Sequence, residues 1–231
     1  MTQQSVCTHL PLIGENAPEF YASTTSGKIH FPNDFTGQWV VLFSHPSDFT
    51  PVCTTEFIEF QKHIKEFEKL NTQLIGLSVG TLASHLAWFN AIENMPEKIK
   101  ITFPLIDDLN TSIAQKYGMI HLNASNTNTV RAVFVIDPDG IIRAILYYPP
   151  TLGRNIPEIL RILTALQTAD AFKVATGANW NIGDDVIIPS PQTIKDMRKK
   201  ASDDTSWFLK YKKLNKSDIY EKIGKKATRK K

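Results

Sequence analysis

The six residues Trp39–Ser44 (WVVLFS) constrain this chain most, because they form an unbroken apolar run of β-branched and aromatic residues between Gly37 and Pro46. A run of that kind reads as a buried strand. Residues 54–70 follow with Phe57, Phe60, Ile64 and Phe67 at helical spacing, which predicts an amphipathic helix. Residues 73–79 (QLIGLSV) return to a strand, and 82–93 read as a second helix ended by Pro96. Strand, helix, strand, helix in that order predicts βαβ units and a parallel core.

Beyond residue 130 the pattern changes. Residues 131–136 (RAVFVI) and 141–147 (IIRAILY) read as strands joined by Asp137-Pro-Asp-Gly140, whose residues suit a tight turn. A helix is predicted over 155–168, with Ile156, Ile159, Leu163 and Leu166 on one face and Pro157 in the first turn, where its missing N–H costs little. With a connecting helix near 109–117, the order is βαβ, helix, ββα. That is thioredoxin-like: an α/β fold with a central mixed sheet flanked by helices. After about Gly177 only a short strand, 185–188, stands out near Pro189 and Pro191, too little for an independent core. The expected organisation is a main domain over 1–170, a small C-terminal extension over 171–224 packed on the main domain or a second subunit, and a basic tail over 225–231.

Composition narrows the partners. With 231 residues, 42% hydrophobic and 21% charged, the chain can bury a core without staples. No run of about eighteen apolar residues exists, so a helical membrane span is not expected. Residues 1–7 lack the charged and apolar regions of a secretory signal, and a cytoplasmic location is expected. The net charge of +3 hides an asymmetry, +9 over 195–231 and −6 over the rest. The basic end reads as a solvated tail, or as a contact for an anionic partner or the acidic body of another subunit. No aromatic residues interleave its last stretch, so stacking on nucleic acid is not expected. Two cysteines, Cys7 and Cys53, are too few for a secreted disulfide scaffold; without a Cys-x-x-Cys pair or clustered histidines, a metal site is not expected either. They are inert thiols, partners in one transient disulfide, or a nucleophile.

Position separates these options for Cys53 only in part. Pro51 suits the first position of a helix, which makes Thr50 the N-cap and places Cys53 at N3. A thiol there faces unsatisfied N–H groups and the positive end of the helix dipole. Both favour the thiolate, which is the nucleophilic form. Fixed donors near the sulfur would also stabilise a leaving oxygen. The same position suits a small buried residue equally well, since free cysteines are often inert. Thr50 needs no catalytic reason to stand at an N-cap, and Pro46 and Pro51 follow from turn and helix-start geometry.

Pro46-x-x-x-Thr50-x-x-Cys53 resembles the active-site signature of the peroxiredoxins. The longer string Phe43-Ser-His-Pro-Ser-Asp-Phe-Thr-Pro-Val-Cys-Thr-Thr-Glu56 resembles their one-cysteine branch, the peroxiredoxin-6 type. Further matches are His85-Leu-Ala-Trp88, Phe103-Pro-Leu-Ile-Asp-Asp108, Arg131-Ala-Val-Phe-Val135 and Gly153-Arg-Asn155 followed by Glu158-Ile-Leu-Arg161, so the resemblance runs over roughly residues 10–190. It implies that Cys53 is the peroxidatic cysteine, oxidised by peroxide to a sulfenic acid. Thr50 is implied to contact the thiolate and the incoming peroxide through its hydroxyl. Arg131 is implied to favour the thiolate and bind the transition state, which suits a rigid fork of charge-assisted donors. Pro46 is implied to shield the pocket from water. His45 would line that pocket, and Glu56 and Arg154 would hold the network. On the residues alone, Arg131 is a strand-end arginine paired with a carboxylate, His45 a core histidine, and Glu56 an acid in a helix's first turn.

Two departures from the resemblance matter. Relatives with extra C-terminal cysteines resolve the sulfenic acid as a disulfide, but residues 205–211 hold none, which implies a one-cysteine cycle closed by an external thiol. Cys7 precedes the first expected strand and is not expected to resolve Cys53. Some animal members have a phospholipase activity associated with Gly-x-Ser-Trp-Gly; this chain reads Gly37-Gln-Trp-Val-Val41 there, without the serine. The resemblance therefore implies a peroxidase for hydrogen peroxide and small organic hydroperoxides, serving antioxidant defence. It implies no metal, flavin or nicotinamide cofactor, a glutathione- or thioredoxin-type reductant, and a homodimer or an assembly of dimers. Two other readings stand beside it. A disulfide oxidoreductase of the same fold would normally carry Cys-x-x-Cys, where this chain has Thr50. A redox sensor or holdase would instead be switched by oxidation of Cys53.

Overall fold

A computed structural model describes residues 9–124, 127–195 and 208–225. They divide into two compact units, one ending at Ile156 and the other spanning Pro157–Lys225. Cys7, the stretch 205–207 and residues 226–231 lie outside the described residues.

The first unit is built on β1 (Phe20–Thr24), β2 (Gly27–Phe31), β3 (Trp39–Ser44), β4 (Thr72–Ser78), β5 (Leu105–Asp107), β6 (Arg131–Ile136) and β7 (Ile142–Tyr148). They form one sheet in the order β2-β1-β5-β4-β3-β6-β7. β3, β4 and β5 run parallel, and β6 lies antiparallel to β3. All residues of β3 and β6 are buried, which is why both read as continuous apolar runs rather than alternating ones. Helices α1 (Pro51–Lys62), α2 (Ile64–Lys69), α3 (Leu82–Glu93) and α4 (Ser112–Lys116) flank the sheet. The result is the central mixed sheet flanked by helices of a thioredoxin-like fold.

Successive residues of a strand serve opposite faces, and β3 shows the consequence. Leu42 joins a core with Phe20, Phe31, Leu77, Ile106, Tyr117 and Phe134. Phe43 points the other way, its ring centroid 4.3 Å from Phe60 and 5.6 Å from Phe57, both on α1. Phe57 continues to Trp88 of α3 at 4.6 Å. Each such buried ring stabilises the fold by roughly 1.5–3 kcal/mol relative to exposure. The aromatic layer therefore fixes α1, and whatever α1 carries, to the end of β3.

Several elements differ from the sequence-based expectation. The helix predicted over 54–70 is two helices parted at His63, whose backbone sits at φ −93 and ψ 5. No glycine or proline marks the break, and Phe60 and Phe67 are buried on either side of it, so the apolar period runs straight across. Glu56 is the sixth residue of α1, in its second turn rather than its first. The hairpin β1–β2 and the three-residue β5 were not anticipated. The turn of that hairpin is made by Thr24, whose hydroxyl donates to the Gly27 carbonyl and accepts from the Ser26 N–H, with Gly27 at φ 110. The Asp137–Gly140 turn is present as expected: the Gly140 N–H donates to the Asp137 carbonyl at 2.9 Å, and Gly140 sits at φ 82.

In the second unit, α5 (Ile156–Phe172), which begins at the boundary, buries Ile159 and Leu163. A three-stranded antiparallel sheet follows, of β8 (Ala175–Thr176), β9 (Val186–Ile188) and β10 (Lys210–Lys212), in the order β10-β9-β8. The helix Lys216–Lys222 comes last among the described elements.

Candidate active site

α1 starts after the 45–50 loop that follows β3. Thr50 is its N-cap, in extended conformation, Pro51 its first residue and Cys53 its third. Thr50 does not cap the helix with its side chain; its hydroxyl donates to the Ser47 carbonyl at 2.9 Å. Ordinary capping therefore does not explain the threonine. Phe49, just before it, stands in the left-handed region at φ 56, a strained conformation for a bulky residue that costs on the order of 1–3 kcal/mol.

The Cys53 side chain is fully buried, and its sulfur accepts a hydrogen bond from Arg131 Nη1 at 3.3 Å. Arg131 opens β6, and the same Nη1 donates to Glu56 Oε2 at 2.7 Å. Its Nε and Nη2 both donate to the Pro150 carbonyl, at 3.0 and 2.7 Å. This clamp holds the plane of the guanidinium. Arg154 secures the other side of Glu56: its backbone N–H and Nε donate to Oε1 at 2.8 and 2.9 Å, and its Nη2 donates to Oε2 at 2.6 Å. Arg154 Nη1 donates to the carbonyls of Ser44 and Ala132, at the ends of β3 and β6, and its guanidinium stacks 5.0 Å from the Phe43 ring. Glu56 thus receives four hydrogen bonds. Burial alone would raise its carboxyl, but Arg154 first and Arg131 second hold it below the usual carboxylate range.

Two guanidiniums facing one carboxylate leave one positive charge in a buried setting, beside the sulfur. Charge of that kind, fixed in advance, stabilises an anion at low reorganisation cost. The structure brings Cys53, Arg131, Glu56 and Arg154 together, with Thr50 at the head of the same helix.

The remaining predicted residues sit around this group. Pro46 is half-buried and opens the loop. His45 is fully buried, but no bond joins it to Cys53 among the described residues; its Nε2 pairs with Asp48 Oδ1 at 3.0 Å, and its ring packs on Phe57 and Trp88. Burial lowers the His45 pKa, against the opposing pull of Asp48. Sequence reasoning overlooked Asp48 and the Pro150 carbonyl. An aspartate in a loop ahead of a helix reads as a turn residue, and a backbone carbonyl leaves no trace in sequence. Among the described residues, no cluster of His, Cys, Asp and Glu is placed to hold a metal ion, and no helix is long and apolar enough to cross a membrane.

The fold and the site together define a thioredoxin-fold protein organised around one buried, arginine-bound thiol. The comparisons agree with that class. Residues 13–145 match the AhpC/TSA family, and 165–202 match the C-terminal domain of 1-Cys peroxiredoxin. A peroxiredoxin of Methanosarcina mazei is 50% identical over 215 residues, covering 88% of this chain and 98% of its own. A yeast mitochondrial one-cysteine peroxiredoxin superposes with a TM-score of 0.79 at 42% identity, covering 89% of this chain and 100% of its own. A cysteine-to-serine mutant of the peroxiredoxin 6 of Arenicola marina gives 0.74 at 36% identity, covering 81% and 88%. The chain belongs to the peroxiredoxins, in their one-cysteine branch. Its activity is thiol-dependent reduction of peroxides.

Proposed function

We propose that Cys53 is the nucleophile that attacks hydrogen peroxide and small organic hydroperoxides. The observation that carries this reading is the 3.3 Å bond from Arg131 Nη1 to the buried sulfur. A thiolate there completes a neutral group with Arg131, Arg154 and Glu56. In the attack, an S–O bond forms as the O–O bond breaks, leaving a sulfenic acid and an alkoxide or hydroxide that takes up a proton. Arg131 donates to the developing charge. Thr50, whose hydroxyl proton goes to the Ser47 carbonyl, orients the peroxide by accepting its O–H, and Pro46 limits water at the entrance. Glu56 and Arg154 keep Arg131 in register, and His45 closes the far wall.

An external thiol then restores Cys53, with two thiol equivalents oxidised to a disulfide and water released; no resident cofactor enters the cycle. A glutathione- or thioredoxin-type reductant fits, since the yeast mitochondrial relative is resolved by those systems. We further infer a cytoplasmic location and a homodimer or an assembly of dimers; light scattering of the reduced protein tests the assembly, and a monomeric mass would end it.

Stopped-flow oxidation by hydrogen peroxide tests the central reading. Fast oxidation should vanish in Cys53→Ser and leave one added oxygen in the parent's intact mass. A parent no faster than a simple free thiol would sink it.

A further inference from the structure

Asp48 stands outside the network around Cys53, yet its side chain is only 5% exposed and accepts from three groups. His45 Nε2, just past the end of β3, lies 3.0 Å from Oδ1. Ser84 Oγ and His85 Nδ1, both on α3, each lie 2.7 Å from Oδ2. The other nitrogen of His85 lies 3.2 Å from the Ile106 carbonyl oxygen, a contact that is a hydrogen bond only when both ring nitrogens carry protons. Three donors on an ionised carboxylate fill most of its acceptor sites. They also hold its pKa well below the usual range, although burial pushes the other way.

The segment fixed in this way is the one that delivers Thr50. Asp48 is followed by Phe49 in the left-handed region, with a side chain 59% exposed, so packing of that ring does little to hold the turn. Ser47, whose carbonyl takes the Thr50 hydroxyl bond, immediately precedes Asp48. The carboxylate also sets His45. Because Nε2 must carry the proton given to Asp48, Nδ1 is left as a bare acceptor; it is buried and has no partner among the described residues.

We propose that Asp48 is a positioning residue for peroxide reduction, latching the 45–50 loop to α3 and so setting the Thr50 hydroxyl and the His45 tautomer. The proposal rests on the reading of Cys53 and Thr50 given above. An asparagine in its place offers one carbonyl oxygen, and its NH2 can meet His45 Nε2 only if that ring moves its proton to Nδ1, so the isosteric amide cannot keep both the three donors and the same His45 tautomer.

Two rates separate positioning from mere support of the fold. Oxidation of Cys53 by hydrogen peroxide needs the whole constellation, whereas alkylation by iodoacetamide reports the thiol alone. In Asp48→Asn, peroxide oxidation should fall by roughly 10–100-fold, as for a small misplacement of a reacting group, with the pH profile of alkylation unmoved. Oxidation within twofold of the parent, or both rates falling together, would overturn the proposal. Should circular dichroism show Asp48→Asn unfolded, Ser84→Ala decides. It removes one donor from a half-buried helix position, and oxidation should slow about threefold with an unchanged alkylation profile; an unchanged oxidation rate overturns the latch. A parent that oxidises no faster than a free thiol would instead remove the reading of Cys53, and the latch with it.

Discussion

Arg131 meets three demands with one side chain: it binds the sulfur, pairs with Glu56 and hangs from the Pro150 carbonyl. A lysine has the charge without the fork, and one ammonium cannot serve three directions from a fixed plane. Arg131→Lys should therefore oxidise about 100-fold more slowly in stopped flow, comparable to losing one donor from an oxyanion site. A loss under threefold would mean that charge alone suffices. Glu56 gives a prediction in pH. Its folded pKa is depressed, so the stability it contributes is complete above the ordinary 4.5 and is lost as pH falls through the folded value. Denaturant titrations should show the parent weakening from 4.5 downward, with that contribution absent in Glu56→Gln. At neutral pH the variant should be less stable by about 3–5 kcal/mol, since two buried guanidiniums lose their counter-ion. Equal acid slopes in the two proteins would exclude Glu56 as the linked group. At this scale the sequence showed residue types, and the resemblance supplied the roles expected of them. It could not show that Glu56 sits between both arginines, because both pairings depend on packing across the sheet.

Elements were legible in proportion to how locally they are specified. β3, β6 and α3 could be drawn from the chain because burial on two faces, or a helical period with clear ends, leaves its mark on consecutive residues. The hairpin β1–β2 is short and polar at its turn, and β5 owes its existence to the neighbours it pairs with, Gly76–Ser78 and Thr24. The break at His63 escaped because the apolar period continues through it. The seating of α1 on the sheet depends on a small residue in β4: a Cβ on Gly76 would meet Leu105 Cδ1 at 3.1 Å, Phe57 Cζ at 3.3 Å and Phe43 Cζ at 3.4 Å. Gly76→Ala should thus push on the aromatic layer beneath α1 and destabilise by about 1–3 kcal/mol in urea unfolding. It should also slow peroxide oxidation, because Phe57 lies one turn beyond Cys53. Unchanged stability would show that the layer can yield.

For the whole molecule, the question is whether one cysteine completes the cycle. With a small dithiol as reductant, Cys7→Ser should consume peroxide over many turnovers at the parent's rate. After one equivalent of peroxide, intact mass should show one added oxygen. Loss of two hydrogens in the parent but not in Cys7→Ser would reveal a disulfide between the two cysteines and replace the one-cysteine cycle. The charge division along the chain was plain from composition, whereas the separation into two units at Ile156 has no counterpart in it.

Apolar runs, caps and turns act over a few residues, so the chain by itself determined the central strands, the start of α1 and the place of Cys53 at its third position. The site is different in kind. Arg131 lies 78 positions from Cys53, and Arg154 lies 98 from Glu56. Their meeting depends on β6 pairing with β3 in one register, Phe43 opposite Val133. Shifting that register by one residue would turn Arg131 to the other face of the sheet, away from the sulfur. Only the tertiary structure decides such a match, because the energy selecting it comes from cores on both faces packing at once.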